Sequence, residues 1–156
     1  MDSNVVLKIL RALDAEHVEY KLVGAIALGV QGLVRATQDI DLFVRPTVEN
    51  IERVRRAFGS IWDDASLAEI TAEDLAGDAP TLRYAPPGEE FVIDLIARLG
   101  EAFDFDSIES EIVDLDGFGV RVATPRMLHA MKRDTLRPQD RADAEALRRH
   151  FGLGED

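Results

Sequence analysis

The segment from Tyr20 to Val44 constrains the fold of this chain more than any other stretch. Its first four residues are mostly apolar and predict a short strand, and Gly24 then permits a tight turn. Small residues without proline favour a helix over Ala25–Val34. The residues of Asp39–Val44 alternate with period two, which predicts a second strand. The segment therefore has the order strand, glycine turn, helix, loop, strand.

The second strand places two carboxylates on one face. Asp39 and Asp41 are two residues apart, so their Cα atoms are expected roughly 6.6 Å from each other. Like charges this close raise each other's pKa or need a cation between them, and a divalent ion with oxygen ligands satisfies both. The turn at Gly24 directs free amides of a helix start toward this strand, which favours phosphate. These features predict metal-dependent nucleotide chemistry, although an exposed strand face beside a plain turn fits the same pattern.

This spacing resembles the signature of the nucleotidyltransferase superfamily. The signature is an apolar residue, glycine and a small residue, then a gap, then Asp-x-Asp in an apolar strand; here these are Val23-Gly24-Ala25, Ile26–Gln38 and Asp39-Ile40-Asp41. With Arg35-Ala36-Thr37 included, the segment is similar to the minimal bacterial AbiEii-like branch, whose members include toxins of toxin–antitoxin pairs. Ala25 departs from the family pattern, because many relatives carry Ser or Gly there, and a Ser hydroxyl can bond a phosphate oxygen.

A third carboxylate lies in another apolar strand. Thr81–Tyr84 and Glu90–Ala97, separated by Pro86-Pro87-Gly88, predict a hairpin. Asp94 has apolar neighbours on both sides, and a charge there is costly unless it is paired, bound to a ligand or at a cleft. The superfamily carries its third metal-binding carboxylate on such a strand, and Asp94 matches that place. A buried ion pair with an arginine is the alternative.

The C-terminal segment contains a second group of charged residues. Thr124-Pro125 predicts the start of one helix, and Pro138 opens another. The AbiEii-like branch has a comparable tail with a helix ending in Lys, a link with Arg, and Asp-x-x-Asp on the last helix; here these are Lys132, Arg137, Asp140 and Asp143. By this resemblance Lys132 would neutralise a triphosphate, and the two aspartates, on one helix face, would orient Lys132 or Arg137. A salt-bridged helical pair is the alternative.

The resemblance implies transfer of an NMP from an NTP to a hydroxyl of an RNA end, a protein or a small molecule. Two Mg²⁺ (or Mn²⁺) ions would be held by the carboxylates Asp39, Asp41 and Asp94, and Asp94 would help to deprotonate the acceptor. The nucleotide would be bound by residues around them: Gly24, Ala25, Arg35, Thr37, Lys132, Arg137 and Asp140. The branch further implies a toxin with an antitoxin protein as partner. A catalytically weak or inactive domain that binds a nucleotide or a partner is the alternative, suggested by Ala25.

The order of predicted elements indicates one α/β (α+β) domain over residues 1–156. The nucleotidyltransferase fold implies a small mixed sheet, helices packed on one face and a helical tail that closes the cleft. The catalytic core would span about 18–100, and the C-terminal hairpin and helices about 108–152. Local patterns add a helix over Ser3–Ala15 capped by Ser3, and a hairpin of Glu111–Leu115 with Val120–Ala123.

Composition limits the classes of partner. The net charge is −12, which argues against an extended nucleic-acid surface and for small-molecule, protein or end-of-chain substrates. The chain has no cysteine, so a disulfide framework and a thiolate metal site are excluded. No apolar run reaches the roughly 20 residues of a membrane span, and the first residues do not resemble a signal peptide. We therefore expect a cytoplasmic bacterial protein without a membrane partner.

Overall fold

The computed structural model describes residues 1–77, 80–133, 135 and 137–154. A 3₁₀ turn covers Ala65–Glu69, and the helices are α1 (Ser3–Ala15), α2 (Gly24–Val30), α3 (Val48–Gly59), α4 (Ala72–Ala76), α5 (Pro125–Lys132) and α6 (Pro138–Phe151). The strands are β1 (Tyr20–Val23), β2 (Asp39–Val44), β3 (Thr81–Tyr84), β4 (Val92–Ile96), β5 (Arg98–Leu99), β6 (Phe103–Asp104), β7 (Ser110–Leu115) and β8 (Phe118–Ala123). The predicted mixed α/β fold class is confirmed.

One mixed sheet contains six of these strands, in the order β3-β4-β2-β1-β8-β7. Near its centre, β2 is antiparallel to β1 and parallel to β4. β3 pairs with β4 as the predicted hairpin, and the β7–β8 hairpin joins the other side through a parallel contact between β8 and β1. The register of β2 with β4 therefore brings together acids that are far apart in the sequence.

Helix starts follow local capping signals. The hydroxyls of Thr47, Thr71 and Thr124 each accept a hydrogen bond from the amide three residues further on and so cap α3, α4 and α5. α1 begins at Ser3 as predicted, but its cap is Asp2, whose carboxylate accepts from the Asn4 amide at 2.8 Å. The prediction of Ser3 as the cap was wrong because the preceding aspartate has the extended backbone that a cap requires.

The second helix is shorter than the sequence predicted. α2 ends at Val30 rather than at Val34, because Gly32 adopts a left-handed backbone with a φ of +102°. The amides of residues 32 and 33 donate to the carbonyls of Gly29 and Leu28, which is the Schellman pattern that closes helices at glycine. The chain from here to β2 is consequently an irregular connection.

The β7–β8 hairpin is tighter than predicted. Asp116 and Gly117 have positive φ values of +52° and +84° and form a two-residue turn whose twist matches that of the flanking strands. Phe118 and Gly119, which the sequence analysis assigned to the connection, belong to β8 and pair with β7. Both strands are therefore longer than expected.

The apolar core is one continuous set of buried side chains from the central strands and the helices. Trp62 is buried and packs against the rings of Phe58, Tyr84 and Phe91. Within the acidic middle of the chain, the 3₁₀ turn and α4 are the regular elements, while residues 78 and 79 lie outside the described residues. Among the described residues, no helix combines the length and apolarity needed to cross a membrane.

Candidate functional site

Two of the three predicted carboxylates lie directly side by side. Asp41 on β2 and Asp94 on β4 are register partners in the parallel pair, so both side chains emerge on the same face of the sheet. Asp39 begins β2 on that face, opposite Val92 of β4. The sheet register thus joins Asp94 to the Asp39–Asp41 pair, as the resemblance implied.

Gly24 lies directly against this pair of carboxylates. Val23 is the register partner of Asp41, and Gly24 follows it with a φ of +72° as the chain leaves the sheet. A Cβ atom at Gly24 would lie 2.0 Å from Oδ2 of Asp41, so any side chain here would displace the carboxylate. Glycine is therefore required here both for backbone conformation and for close approach of the backbone to the acid.

The environment of Asp41 opposes its ionisation. Burial, the charges of Asp94 and Asp39 and a hydrogen bond with Asp94 together raise the pKa of Asp41 to about 7, although the charge of Lys132 acts in the opposite direction. A carboxyl group with this pKa is half-protonated near neutral pH. The repulsion between neighbouring carboxylates that the sequence predicted is therefore present, and Asp41 retains a proton near neutral pH.

Asp94 also takes part in an ion pair, which was the alternative considered from the sequence. Arg83 on β3 is its register partner, and the guanidinium donates through Nε to Oδ1 at 2.9 Å and through Nη2 to Oδ2 at 3.1 Å. The Asp94 side chain is 12% exposed, whereas that of Arg83 is 63% exposed. The ion pair that was the alternative for Asp94 is therefore present, with Arg83, a residue that the sequence did not single out, as the partner.

The two C-terminal helices supply the opposite wall with a buried group of charges. Nζ of Lys132, at the end of α5, donates to Asp140 at 3.3 Å and to Asp143 at 3.0 Å on α6. Thr135 donates to the other oxygen of Asp140, and Gln139 to the other oxygen of Asp143. Both aspartates therefore hold Lys132, and neither one forms an ion pair with Arg137.

Arg35 connects this wall to the loop before β2. Its Nη2 lies 3.1 Å from Oδ2 of Asp143, while its buried Nε has no hydrogen-bond partner among the described residues. Burial acts to raise the pKa of Asp143, but hydrogen bonds from Lys132 and Gln139 and the charges of Lys132 and Arg35 hold it below its ordinary value. Asp143 is consequently a charged acid in a fully compensated environment, unlike Asp41.

Thr37 and Arg137 differ in the hydrogen bonds that their side chains make within the protein. The Thr37 hydroxyl accepts from the Asp39 amide at 3.1 Å and also contacts the Asp39 carbonyl at 3.4 Å, so it fixes the first residue of β2. In the described part of the chain, the Arg137 side chain has no hydrogen bond or ion pair, although it reaches the same cavity. Arg137 is thus a cation without a bound acid.

All of the residues predicted to bind the metal or the nucleotide line one cavity of about 240 Å³, whereas Asp143 lies behind Lys132 and does not line it. Its complete lining is Gly24, Ala25, Arg35, Thr37, Asp39, Asp41, Arg83, Asp94, Lys132, Arg137, Gln139 and Asp140. Arg83 and Gln139 are the members that the sequence analysis missed. Gln139 carried a signal, because it lies one helical turn before Asp143, whereas nothing local marked Arg83.

A second recess of about 330 Å³ shares the acid pair and has a more apolar surface. Apolar side chains from β4, β5 and α5 line it, among them Ile96, Leu99 and Met131. A larger cavity of about 360 Å³ lies elsewhere, around Lys21 and Arg121. It contains none of the predicted acids, so the concentration of charged groups, and not volume, marks the candidate site.

A divalent cation fits the chemistry of the acid pair. Within the described ranges, no three acidic or histidine side chains converge closely enough to be a complete ligand set. Asp41 nevertheless retains a proton near neutral pH, because burial and the charges of Asp94 and Asp39 raise its pKa to about 7. Replacement of that proton by a cation with a preference for oxygen ligands would remove the repulsion, and this is the observation that supports the predicted metal.

The fold is that of nucleotidyltransferases. A "putative nucleotidyltransferase" from Thermotoga maritima is similar over 96% of this chain and 91% of its own, with a TM-score of 0.56 and 15% identity. The structure of ANT(2″)-Ia in complex with adenylyl-2″-tobramycin is similar over 96% of this chain and 88% of its own, with a TM-score of 0.57 and 16% identity.

Similarity in sequence adds nothing to this similarity in fold. No protein-family model matches the chain, and no curated protein matches it. The solved structures therefore confirm the predicted fold, while the AbiEii-like branch stays a prediction.

Proposed function

We propose that this protein transfers an NMP from an NTP to a hydroxyl acceptor. The observation that supports this most is the meeting of the acid pair, Gly24 and the cations Lys132 and Arg137 in one cavity. Carboxylates on one wall suit a divalent cation, and cations on the other suit phosphates. Two solved structures with this fold carry the name of a nucleotidyltransferase or contain an adenylylated molecule, which agrees with the proposal.

Each wall of the cavity would make a separate contribution. Lys132, positioned by Asp140 and Asp143, would offer a fixed positive charge to the phosphates, and Arg137 would add a planar guanidinium. Asp39, Asp41 and Asp94 would hold Mg²⁺ or Mn²⁺, which supplies charge neutralisation for the phosphates when bound. Asp94 would accept the proton of the acceptor hydroxyl. Pyrophosphate would leave from the side of the cations.

The alternative function is nucleotide or partner binding without efficient catalysis. Ala25 lines the cavity but has no hydroxyl for a phosphate oxygen. Asp94, the proposed base, accepts two hydrogen bonds from Arg83. Both observations favour a slow or inactive enzyme unless Arg83 can leave Asp94.

Calorimetry with the four NTPs tests nucleotide binding. We expect the wild type to bind at least one NTP in the presence of Mg²⁺ or Mn²⁺, and the variant Asp39→Ala/Asp41→Ala to lose that binding. A matched control is Glu101→Ala/Glu111→Ala, which makes the same charge change at two exposed positions outside the cavity. Absence of binding by the wild type with either metal would reject the proposal in favour of a partner-binding domain.

The acceptor and the biological role are finer parts of the proposal. A small molecule, a protein or an RNA end suits the net charge of −12, and we place the reaction in the cytoplasm. The AbiEii-like branch includes toxins of toxin–antitoxin pairs, so the finer proposal is a toxin with an antitoxin protein as its partner.

Expression in a bacterial host tests the toxin role. We expect induction of the wild type to arrest growth and induction of Asp41→Ala to leave growth normal, because the variant lacks a central carboxylate. Immunoblots must show equal amounts of the two proteins. Equal growth of both strains at equal protein levels would exclude toxicity in that host while leaving nucleotide transfer open to the calorimetric test.

A further inference from the structure

Arg83 is held in the cavity by a single carboxylate. Its guanidinium makes two parallel hydrogen bonds, at 2.9 and 3.1 Å, and both go to Asp94. The side chain starts from β3, which is an edge strand of the sheet, and most of its surface is exposed to solvent. Apart from Asp94, it therefore has little packing that would fix its position.

We infer that Arg83 exchanges partners during the reaction cycle. In the absence of a divalent cation it is the counter-ion of Asp94, and when a cation binds Asp94 it turns to the phosphates of the NTP in the same cavity. This inference rests on the proposed function. It makes Arg83 a phosphate-binding residue that also controls access of the metal to Asp94.

The first reason is electrostatic competition. The guanidinium uses both oxygens of Asp94, which are the atoms that a divalent cation would need. A dication beside a guanidinium on one carboxylate would add strong repulsion between positive charges at short range. Asp39 and Asp41 line the same cavity as Arg83, so a cation bound by these acids would also reduce the negative charge that attracts the guanidinium.

The second reason is the position of Arg83 relative to the other cations. Lys132 is buried and is bound by two aspartates, so it has no freedom to follow a ligand. Arg83 lines the same cavity as Lys132 and Arg137, and its planar fork matches two phosphate oxygens. A released Arg83 would thus find an anion of suitable geometry within the cavity.

Binding of Mn²⁺ without nucleotide provides the first test. Free Mn²⁺ is measured by electron paramagnetic resonance in titrations of the wild type, Arg83→Gln and the control Arg126→Gln. Arg126 is an exposed arginine paired with Glu109 at 2.6 Å and lies outside the cavity, so its replacement makes the same change in net charge. We expect Arg83→Gln to bind Mn²⁺ about tenfold more tightly than the wild type, and Arg126→Gln to match the wild type.

Binding of the nucleotide with its metal provides the second test. With saturating Mg²⁺ and the NTP identified by calorimetry, Arg83→Gln should bind that NTP about tenfold more weakly, because one guanidinium contact to phosphate is lost. Arg83→Lys should recover part of the affinity through its charge but not the two-point contact. Tighter metal binding combined with weaker nucleotide binding is a pair of changes that a purely structural arginine would not produce.

Nuclear magnetic resonance of the wild type avoids any effect of substitution on folding. The Nε–H signal of Arg83, assigned from its absence in Arg83→Gln, should exchange slowly with water in metal-free protein and faster after Mg²⁺ is added. An unchanged signal would overturn the inference that Arg83 changes partners, and so would a Mn²⁺ affinity of Arg83→Gln no higher than that of the wild type. In either case, NTP binding by the wild type would leave the proposed function intact. If the wild type binds neither metal nor NTP, both are overturned.

Discussion

The two walls of the cavity hold their charges in opposite ways. On the helical wall, Lys132 lies between Asp140 and Asp143, and Arg35 and Gln139 complete the partners of Asp143. On the strand wall, three carboxylates have the exposed Arg83 as their bound cation, and Asp41 keeps a proton to near neutral pH. For the residues that the structure describes, the buried aspartates of the helical wall are fully paired without a ligand, whereas the three carboxylates of the strand wall share a single bound cation.

This difference indicates that the two walls contribute differently to stability and to ligand binding. A compensated wall contributes stability and offers its lysine in a fixed position, which limits the reorganisation needed when phosphates arrive. A wall with uncompensated acids costs stability until a cation binds, and such local strain is commonly found at functional sites. Opposite effects of charge removal on the free energy of unfolding should therefore distinguish the two walls.

The largest expected effect is on the helical wall. Lys132→Met removes the charge and keeps a side chain of similar length, which leaves Asp143, only 5% exposed, without its closest cation. Loss of one partner from a buried ion pair costs roughly 3 kcal/mol of unfolding free energy. Urea unfolding at pH 7 measures this loss, with the exposed Lys8→Met as the control. If the free energy of unfolding fell equally little in both variants, the helical wall would not be the wall that stabilises the fold.

The local part of the site could be predicted because it lies in one segment. Gly24, Asp39 and Asp41 are connected by a turn and a strand, whose geometry follows from glycine conformation and period two. The same reasoning failed for the end of α2, although Gly32 was a readable stop signal. The prediction extended the helix past Gly32 because the small residues around it favour helix. In the structure, Gly32 adopts a left-handed backbone and the helix ends before it.

The non-local part of the site depended on strand register. Asp94 was assigned through the family resemblance, since nothing within its own strand shows that it pairs with Asp41. Arg83 was missed because the connection from Tyr84 to its partner Ile93 is long. Strand register can be derived from the sequence only when the hairpin loop is short. The pairing of Arg83 with Asp94 therefore could not be predicted from the position of the turn.

The strand wall should respond to charge removal with a gain in stability. The Asp41 pKa is raised from 3.8 to about 7 on folding, so between these pH values the folded protein binds more protons than the unfolded chain. Stability from this group is therefore lost as pH rises from about 4 to about 7, and it stays lost above pH 7. Asp41→Asn removes the titration, and its stability relative to the wild type should increase with pH.

The size of this gain completes the contrast between the walls. The free energy of unfolding is measured by urea unfolding in metal-free buffer for Asp41→Asn and for the wild type. We expect the difference, variant minus wild type, to be larger at pH 8 than at pH 5 by on the order of 2 kcal/mol. Glu111→Gln, an exposed site on β7, should show no such dependence. Because a bound cation would compensate the same charge, Mg²⁺ should stabilise the wild type more than the variant at pH 8. A stability difference that does not change with pH would mean that Asp41 ionises normally and that the strand wall is not strained.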